Sequence, residues 1–316
     1  NVKGGIEDFT FKNNQTFKST DASTIINFKN DGTAINKNIS ILNNRFEIGG
    51  GAGAARYIRG GNVQNLTIIG NYFEGIKGKY VDGIRIEGTN EGTAAGIGVS
   101  GVLTITNNVF DKIGQRAIWI RRYSTTKVDI LSNKFYSCGD QTYGGGVQLE
   151  VWVTGQTTVI NFKYNRLENM TGSFGLRLNN TGMAANATWS VNANYNKFID
   201  FILPATGVSD DIIQAYSEAA KVLINADYNL FMRNGYAYDP DDTVMPFVGT
   251  YQHRFVYEED LDLAIILDQA DPEKGVVIYH ADLETEKTWA SYPTTDTVKT
   301  LAGMEWVMNQ VLLNPD

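Results

Sequence analysis

The residues best suited to chemistry lie in four short segments in which polar and apolar side chains alternate. The segments are Gly83-Ile-Arg-Ile-Glu87, Ala117-Ile-Trp-Ile-Arg121, Gly146-Val-Gln-Leu-Glu150 and Gly175-Leu-Arg-Leu-Asn179. This alternation is typical of β-strands, whose successive side chains point to opposite faces of a sheet. We therefore expect the apolar residues to face a core and the polar residues to share one outer face.

The predicted outer face carries three arginines, two glutamates, two amides and one exposed tryptophan. These residues are Arg85, Glu87, Trp119, Arg121, Gln148, Glu150, Arg177 and Asn179. The mixture suits a sugar polymer, because an indole stacks on a pyranose ring, amides bond hydroxyl groups, and arginine pairs with a uronate carboxylate. The same residues also fit a ladder of ion pairs with no ligand, since Glu87, Arg121 and Glu150 alternate in charge.

If this face is catalytic, β-elimination on a uronate polymer fits it best. That reaction needs a cation to neutralise the carboxylate and a base to remove the C5 proton. Arg177 or Arg85 is the expected cation. Arg121 is the expected base, and Lys79 and Tyr123 are local alternatives.

Hydrolysis of a glycosidic bond would instead need two carboxylates that face each other across the bond. Glu87 and Glu150 would lie two strands apart, roughly 9.6 Å at the usual strand spacing. Arg121 between them would hold both carboxylates ionised, so we expect hydrolysis less than elimination.

A longer repeat must position this face. Short alternating strands end in an asparagine, one variable residue and a bulky apolar residue. The asparagines are Asn44, Asn71, Asn108, Asn133, Asn165, Asn196 and Asn229, which lie 25 to 37 residues apart. A repeat with irregular spacing is typical of a solenoid whose loops vary in length.

In a stack of such units each asparagine has a physical role. We expect it to take the left-handed backbone of a sharp corner and to bond, through its amide, the asparagines above and below. The bulky residue two positions later should turn inward and stack on its copies. These patterns predict an all-β, right-handed parallel β-helix. An incomplete coil should cover residues 1–30, clear coils 31–235, and a small mixed α/β cap or junction module with a terminal helix 236–316.

Composition narrows the functional classes. The 316 residues carry a net charge of −8, which argues against a nucleic-acid partner. The single cysteine, Cys138, excludes an intrachain disulfide, and no apolar run is long enough to span a membrane. No cofactor is expected. Calcium could bind the acidic runs at 239–242 and 258–262, although solvated turns explain them more simply.

The Asn-x-Phe coils over roughly residues 8–235 resemble the pectate-lyase-like superfamily, which includes polysaccharide lyases, hydrolases, phage tailspikes and adhesins. Residues 117–121 followed by Asn133-Lys-Phe135 are similar to the chondroitinase B and alginate lyase group. In that group a strand ends in an arginine, usually followed by His-Gly, with a Lys-Ser pair one coil earlier. Arg121 matches the arginine, but Arg122 stands in place of the histidine and Glu87 lies where a basic residue is wanted.

The resemblance and the outer face together predict an extracellular or cell-surface bacterial protein that binds a polysaccharide without catalysis. A uronate lyase, a tailspike-like or other hydrolase, and a structural or adhesin protein with no ligand on this face are the alternatives. Because the chain begins at Asn1 in mid-pattern, we also expect it to be part of a longer surface or secreted protein.

Overall fold

The structure is a computed structural model. It describes residues 5–15, 17–19, 24–28, 35–48, 55–87, 98–140, 144–151, 157–172, 174–180, 188–199, 201, 213–217, 221–225, 229–232, 253–256, 263–267 and 276–280. Every regular element in these ranges is a β-strand.

The strands follow one another in chain order along the coils. The first thirteen are β1 (Thr10–Lys12), β2 (Phe17–Ser19), β3 (Thr24–Phe28), β4 (Asn36–Leu42), β5 (Arg45–Ile48), β6 (Ala55–Gly60), β7 (Val63–Ile69), β8 (Tyr72–Glu74), β9 (Val81–Ile86), β10 (Val99–Thr106), β11 (Val109–Asp111), β12 (Arg116–Leu131) and β13 (Lys134–Tyr136). The others are β14 (Gly145–Val151), β15 (Thr157–Lys163), β16 (Arg166–Glu168), β17 (Leu176–Asn180), β18 (Thr188–Asn192), β19 (Lys197–Ile199), β20 (Ile213–Ser217), β21 (Lys221–Asn225), β22 (Asn229–Met232), β23 (His253–Val256), β24 (Leu263–Leu267) and β25 (Val276–His280).

Successive coils contribute strands to three sheets, which we call sheets A, B and C. Sheet A contains β3, β6, β9, β12, β14, β17 and β20; sheet B contains β1, β4, β7, β10, β12, β15, β18 and β21; sheet C contains β2, β5, β8, β11, β13, β16, β19, β22 and β23. All these strand pairs are parallel. The 16-residue strand β12 continues from sheet A into sheet B. The predicted parallel β-helix is therefore confirmed.

The segment after residue 235, which the sequence predicts to be a cap or junction module, is described only in part. Sheet C continues into it, because β23 pairs in parallel with β22. Strands β24 and β25 form an antiparallel pair. The predicted terminal helix lies outside the described residues.

A ladder of asparagines, all buried except the partly buried Asn14, follows the corner at which each coil passes from sheet B to sheet C. Its members are Asn14, Asn44, Asn71, Asn108, Asn133, Asn165, Asn196 and Asn229. At each step the side-chain oxygen of one asparagine accepts the backbone N–H and the side-chain amide of the asparagine on the preceding coil, at 2.7 to 3.2 Å. The predicted amide ladder is confirmed.

The prediction that these asparagines take the left-handed backbone is wrong. At the seven corners where the preceding residue is described, that residue is the left-handed one: Asn13, Asn43, Gly70, Asn107, Ser132, Tyr164 and Tyr195 have φ between +53° and +69°. The chain thus turns the corner one residue earlier than the sequence predicts. The ladder asparagine can then direct its amide into the corner, where it meets its copies.

A second stack fills the core beneath sheet C. The rings of Phe46, Phe73, Phe110 and Phe135 lie 4.8 to 5.0 Å apart between centroids and are tilted by no more than 12°. All four are fully buried, as is Leu167 at the same position of the next coil. The inward turn and self-stacking predicted for the bulky residue are confirmed.

Candidate ligand-binding face

The strand register of sheet A brings most of the predicted site residues together. Trp119 pairs with Arg85 and with Gln148, and Gln148 pairs with Arg177. Arg121 pairs with Glu150 on the following coil. The apolar residues between them are fully buried: Ile84, Ile86, Ile118, Ile120, Val147, Leu149, Leu176 and Leu178. The residues of both predicted columns therefore lie in register, and those whose side chains are described share one face of the sheet.

A third column, which the alternation does not predict, lies beside these two. In register it contains Arg56, Asp82, Arg116, Gly145 and Phe174. We call the outward residues of the three columns the arginine face: Arg56, Arg59, Asp82, Arg85, Glu87, Arg116, Trp119, Arg121, Gln148, Glu150, Phe174 and Arg177.

The third column arises because the alternation breaks at the start of each segment. Ala117 and Ile118 are consecutive and both fully buried, so Arg116 and Trp119 face outward although they are three residues apart. Small residues mark this break, because the next coil comes close: a Cβ on Gly83 would lie 2.4 Å from the carbonyl oxygen of Ala117. The small residue that opens each segment is thus the sequence signal from which the third column could have been found.

Trp119 lies at the centre of the arginine face and is surrounded by cations. The guanidinium carbons of Arg116, Arg85 and Arg121 are 4.1, 4.2 and 5.1 Å from its ring centroid, within the range of cation–π attraction. Its Nε1 donates a hydrogen bond to Glu150 Oε1 at 2.9 Å. The ring is only partly exposed. Trp119 is therefore not the open stacking surface that the sequence predicts.

Glu150 joins the columns by accepting three hydrogen bonds. Besides the indole, it accepts Nε of Arg121 and Nε2 of Gln148, both at 2.7 Å. Arg121 also places Nη1 3.6 Å from Glu87 Oε2. The side chains of Glu87 and Glu150 are 9% and 8% exposed, and that of Arg121 is 31% exposed. The alternating ion ladder of the sequence analysis is thus present, and Arg121 is its most accessible member.

Asp82 is the corresponding acceptor in the third column. Its carboxylate lies 3.2 Å from Arg85 Nη1 and 3.8 Å from Arg56 Nε, and it accepts the backbone N–H of Arg116 at 3.4 Å. Arg116 in turn donates Nε to Gln148 Oε1 at 2.6 Å. Each carboxylate of the described face therefore contacts at least one arginine side chain.

Burial shifts the pKa of several of these groups. It raises the pKa of Asp82, against the opposing effect of Arg85 and Arg116, and lowers the pKa of Arg56 and of Arg116. Burial would also lower the pKa of Arg85, but the hydrogen bonds to Glu87 and Asp82 and the negative charges of both carboxylates together outweigh this, so the pKa rises. Desolvation is thus the common influence on the buried groups, and pairing decides the direction for Arg85.

The predicted catalytic residues do not all meet. Lys79 precedes β9, whereas Glu87 follows its end, so the side chain beside Arg121 on the preceding coil is Glu87 and not Lys79. The side chains of Tyr123 and Asn179 lie outside the described part of the structure. Arg121, the predicted base, is bonded to one carboxylate and lies near a second. Both predicted hydrolytic carboxylates, Glu87 and Glu150, are oriented toward this same guanidinium.

An open polar cavity of about 630 Å³ lies away from this face, near the first coils at the corner between sheets B and C. Asparagines, a glutamine, a glycine and Arg45 line it. Arg45 is paired with Glu47 and Glu74. The lining contains no carboxylate, so it lacks the paired acids that glycoside hydrolysis needs.

Within the described ranges, no three His, Cys, Asp or Glu side chains converge in a group that could bind a metal ion. The two acidic runs considered for calcium are outside those ranges. None of the described segments forms a helix of the length and apolarity needed to cross a membrane.

Comparison of the chain with protein-family models, with curated proteins and with solved structures finds no match. The predicted resemblance to pectate-lyase-like proteins is thus supported at the level of the parallel β-helix alone.

Proposed function

We propose that this chain is a non-catalytic module of an extracellular or cell-surface β-helix protein, and that its arginine face binds an anionic polysaccharide. One observation carries the proposal. The described part of this face has six arginines and three carboxylates, an excess of three positive charges, in a chain whose net charge is −8. A local reversal of charge against the rest of the molecule attracts a ligand of opposite sign.

The spacing of the cations suits a polymer better than a small anion. Outward arginines lie on the three consecutive strands β6, β9 and β12 and, beyond β14, on β17, and consecutive strands of a sheet are ~4.8 Å apart. A chain of uronate sugars laid along the stack would meet guanidinium groups on successive coils. Arginine suits such a ligand because its planar guanidinium pairs bidentately with a carboxylate.

Binding is favoured over β-elimination because a base is missing where it is needed. The neighbour of Arg121 on the preceding coil is a carboxylate, and Arg121 itself is bonded to Glu150. A guanidinium held between two carboxylates keeps its positive charge and is suited to attract a uronate rather than to remove a proton.

A second candidate function is structural, with no ligand on this face. The observation that favours it is the internal pairing of the carboxylates: Asp82, Glu87 and Glu150 are buried and each contacts an arginine. Such a network could act only to align successive coils.

Binding should be measured by retention on immobilised polygalacturonate, alginate, chondroitin and heparin over a series of salt concentrations. We expect retention on at least one polymer, and we expect it to weaken as salt screens the charges. The double variant Arg56→Gln/Arg121→Gln should bind at least about thirtyfold more weakly, because each of the two lost charge-assisted hydrogen bonds contributes about 1 kcal/mol or more.

Arg45→Gln is the matched control, because Arg45 lies on sheet C, is more exposed than Arg121 and is also paired with two glutamates. Its binding should equal that of the unmodified chain. Ultraviolet absorbance of the same mixtures reports unsaturated sugar. A signal that Arg121→Ala abolishes would establish a lyase, whereas no retention on any polymer would favour the structural role.

A further inference from the structure

Two tyrosines occupy a backbone position that does not suit them. Tyr164 and Tyr195 have φ of +59° and +61° at the corner between sheets B and C, directly before ladder asparagines. The same position holds Asn13, Asn43, Gly70, Asn107 and Ser132 on the other described coils. Asparagine and glycine accept left-handed backbone readily, whereas a bulky side chain there is strained. The corner itself therefore does not call for an aromatic residue.

Packing does not explain the tyrosines either. Tyr164 is 58% exposed and Tyr195 is 44% exposed, so neither ring contributes to the core. Strained residues whose side chains add nothing to the core are candidates for a functional role. The sequence strengthens this reason, because Tyr228 also directly precedes a ladder asparagine, Asn229.

The two rings form an ordered aromatic surface. Their centroids are 5.2 Å apart and their planes differ by 9°, so they stack along the coils. On the coil before Tyr164 the corner residue is Ser132, whose side chain is small. The ring of Tyr164 is thus flanked by Tyr195 on one coil and by a small residue on the other. The coil spacing of ~4.8 Å falls within the usual separation of stacked rings, about 4.5–7 Å between centroids.

A row of cations runs beside the tyrosines. Lys134, Arg166 and Lys197 pair in register on sheet C, each two residues after a corner residue. Lys134 is exposed, and Arg166 donates Nε to Glu168 at 2.8 Å. On these three coils the neighbouring register row contains Tyr136, Glu168 and Ile199, so one carboxylate accompanies three cations there; Asp111 continues the row on the coil before Tyr136. The surroundings of the rings are therefore positively charged.

We propose that Tyr164, Tyr195 and this cation row form a glycan-binding site for a uronate polymer. A pyranose ring stacks on Tyr164 above Ser132, and its carboxylate pairs with Lys134 and Arg166. This site is on a different surface from the arginine face. It does not rest on the function proposed for that face, because its chemistry combines ring stacking with a salt contact.

The test uses variants that the other corners already contain. Tyr164→Asn/Tyr195→Asn introduces asparagine, which already occupies this corner position at Asn43 and Asn107, so the variant should keep the fold. Polygalacturonate affinity should be measured by calorimetry in the Arg56→Gln/Arg121→Gln background, which weakens the arginine face. We expect the asparagine variant to bind about tenfold more weakly than this background, the size of a lost aromatic stacking contact.

Two controls separate ring stacking from other effects. Tyr164→Phe/Tyr195→Phe keeps the rings and should retain the affinity, and Tyr80→Asn removes another half-exposed tyrosine and should change nothing. An unchanged affinity in the asparagine variant, no binding by either protein, or an equal loss in the phenylalanine variant would overturn the proposal. So would equally tight binding of a neutral glucan. Failure of the arginine face would appear separately, as an affinity that Arg56→Gln/Arg121→Gln leaves unchanged.

Discussion

The asparagine ladder and the arginine face both stack polar side chains across successive coils, but they satisfy these side chains differently. In the ladder one residue type repeats, and every step has the same two hydrogen bonds to a side-chain oxygen. In the arginine face the residue types are mixed along each column, and contacts run diagonally between columns, as from Trp119 to Glu150.

The difference follows from the chemistry of the groups. A primary amide has both donors and an acceptor, so identical copies can bond one another without limit. A guanidinium only donates and a carboxylate only accepts, so charged columns must alternate or borrow partners from a neighbouring column. A ladder of amides therefore depends on repetition, whereas a charged face depends on which residue each coil supplies.

The largest expected effect comes from interrupting the repetition. Asn133→Ala would remove the acceptor of both the backbone N–H and the side-chain amide of Asn108 and a donor to Ile105. Since Asn133 is fully buried, water cannot replace these partners. We expect a loss of about 3 kcal/mol in the free energy of unfolding, measured with urea.

Asn161→Ala is the control for this loss, because Asn161 also bonds neighbours on the coils before and after but is only partly buried. It should cost no more than about 1 kcal/mol, because water can solvate the groups left behind. Equal losses in the two variants would show that the ladder has no special role in stability.

Glu150→Gln tests the charged face and should have a smaller effect. The substitution keeps an acceptor for one donor but removes the charge that Arg121 and Trp119 share. Breaking a fully buried ion pair costs about 3–5 kcal/mol, but Arg121 is nearly one-third exposed, so we expect a loss of about 1–2 kcal/mol.

The double variant Glu150→Gln/Arg121→Gln gives the coupling between the two residues. If they act as a pair, the double variant should be less destabilised than the sum of the single variants. Additive losses would mean that the columns of the face are independent, contrary to the hydrogen bonds that join them.

The asparagine ladder and the coils that carry it could be predicted from the sequence. The Asn-x-Phe repeat predicts the strands, the amide ladder and the phenylalanine stack, because each feature is set by residues a fixed distance apart within one coil. The left-handed residue is misplaced by one position. Adjacent asparagines, as at Asn43-Asn44, leave open which of them turns the corner and which enters the ladder.

The arginine face could be predicted from the sequence only in part. Alternation gives the two columns that include Arg85 and Arg121, but it fails where two inward residues follow each other, so Asp82 and Arg56 are missed. The environment of Trp119 depends on the side-chain directions of three arginines, two of them on its own strand. The tyrosine pair is visible as the repeated Tyr-Asn dipeptide, yet its exposure becomes meaningful only when the strained backbone is known.

Cys138 provides the smallest and most specific test, because its thiol is a titratable group in the buried core with no hydrogen bond to a charged side chain. Its Sγ lies 3.3 Å from the carbonyl oxygen of Tyr136, and burial raises the pKa of its thiol from 9.0 to about 12. The folded state therefore keeps a proton that the unfolded state releases above pH 9. The stability that the protonated thiol contributes is complete below pH 9 and is lost progressively as the pH approaches 12.

At about pH 9.5 this loss should be about 0.8 kcal/mol. It is measured by urea unfolding of the unmodified chain and of Cys138→Ala at neutral and at alkaline pH: the loss is the change, between the two pH values, in the difference between their free energies of unfolding. Parallel pH dependence in the two proteins would contradict the shift. A difference between the two free energies of unfolding that changes with pH would show that a charged group is destabilising in the core, whereas in the arginine face charged groups are paired.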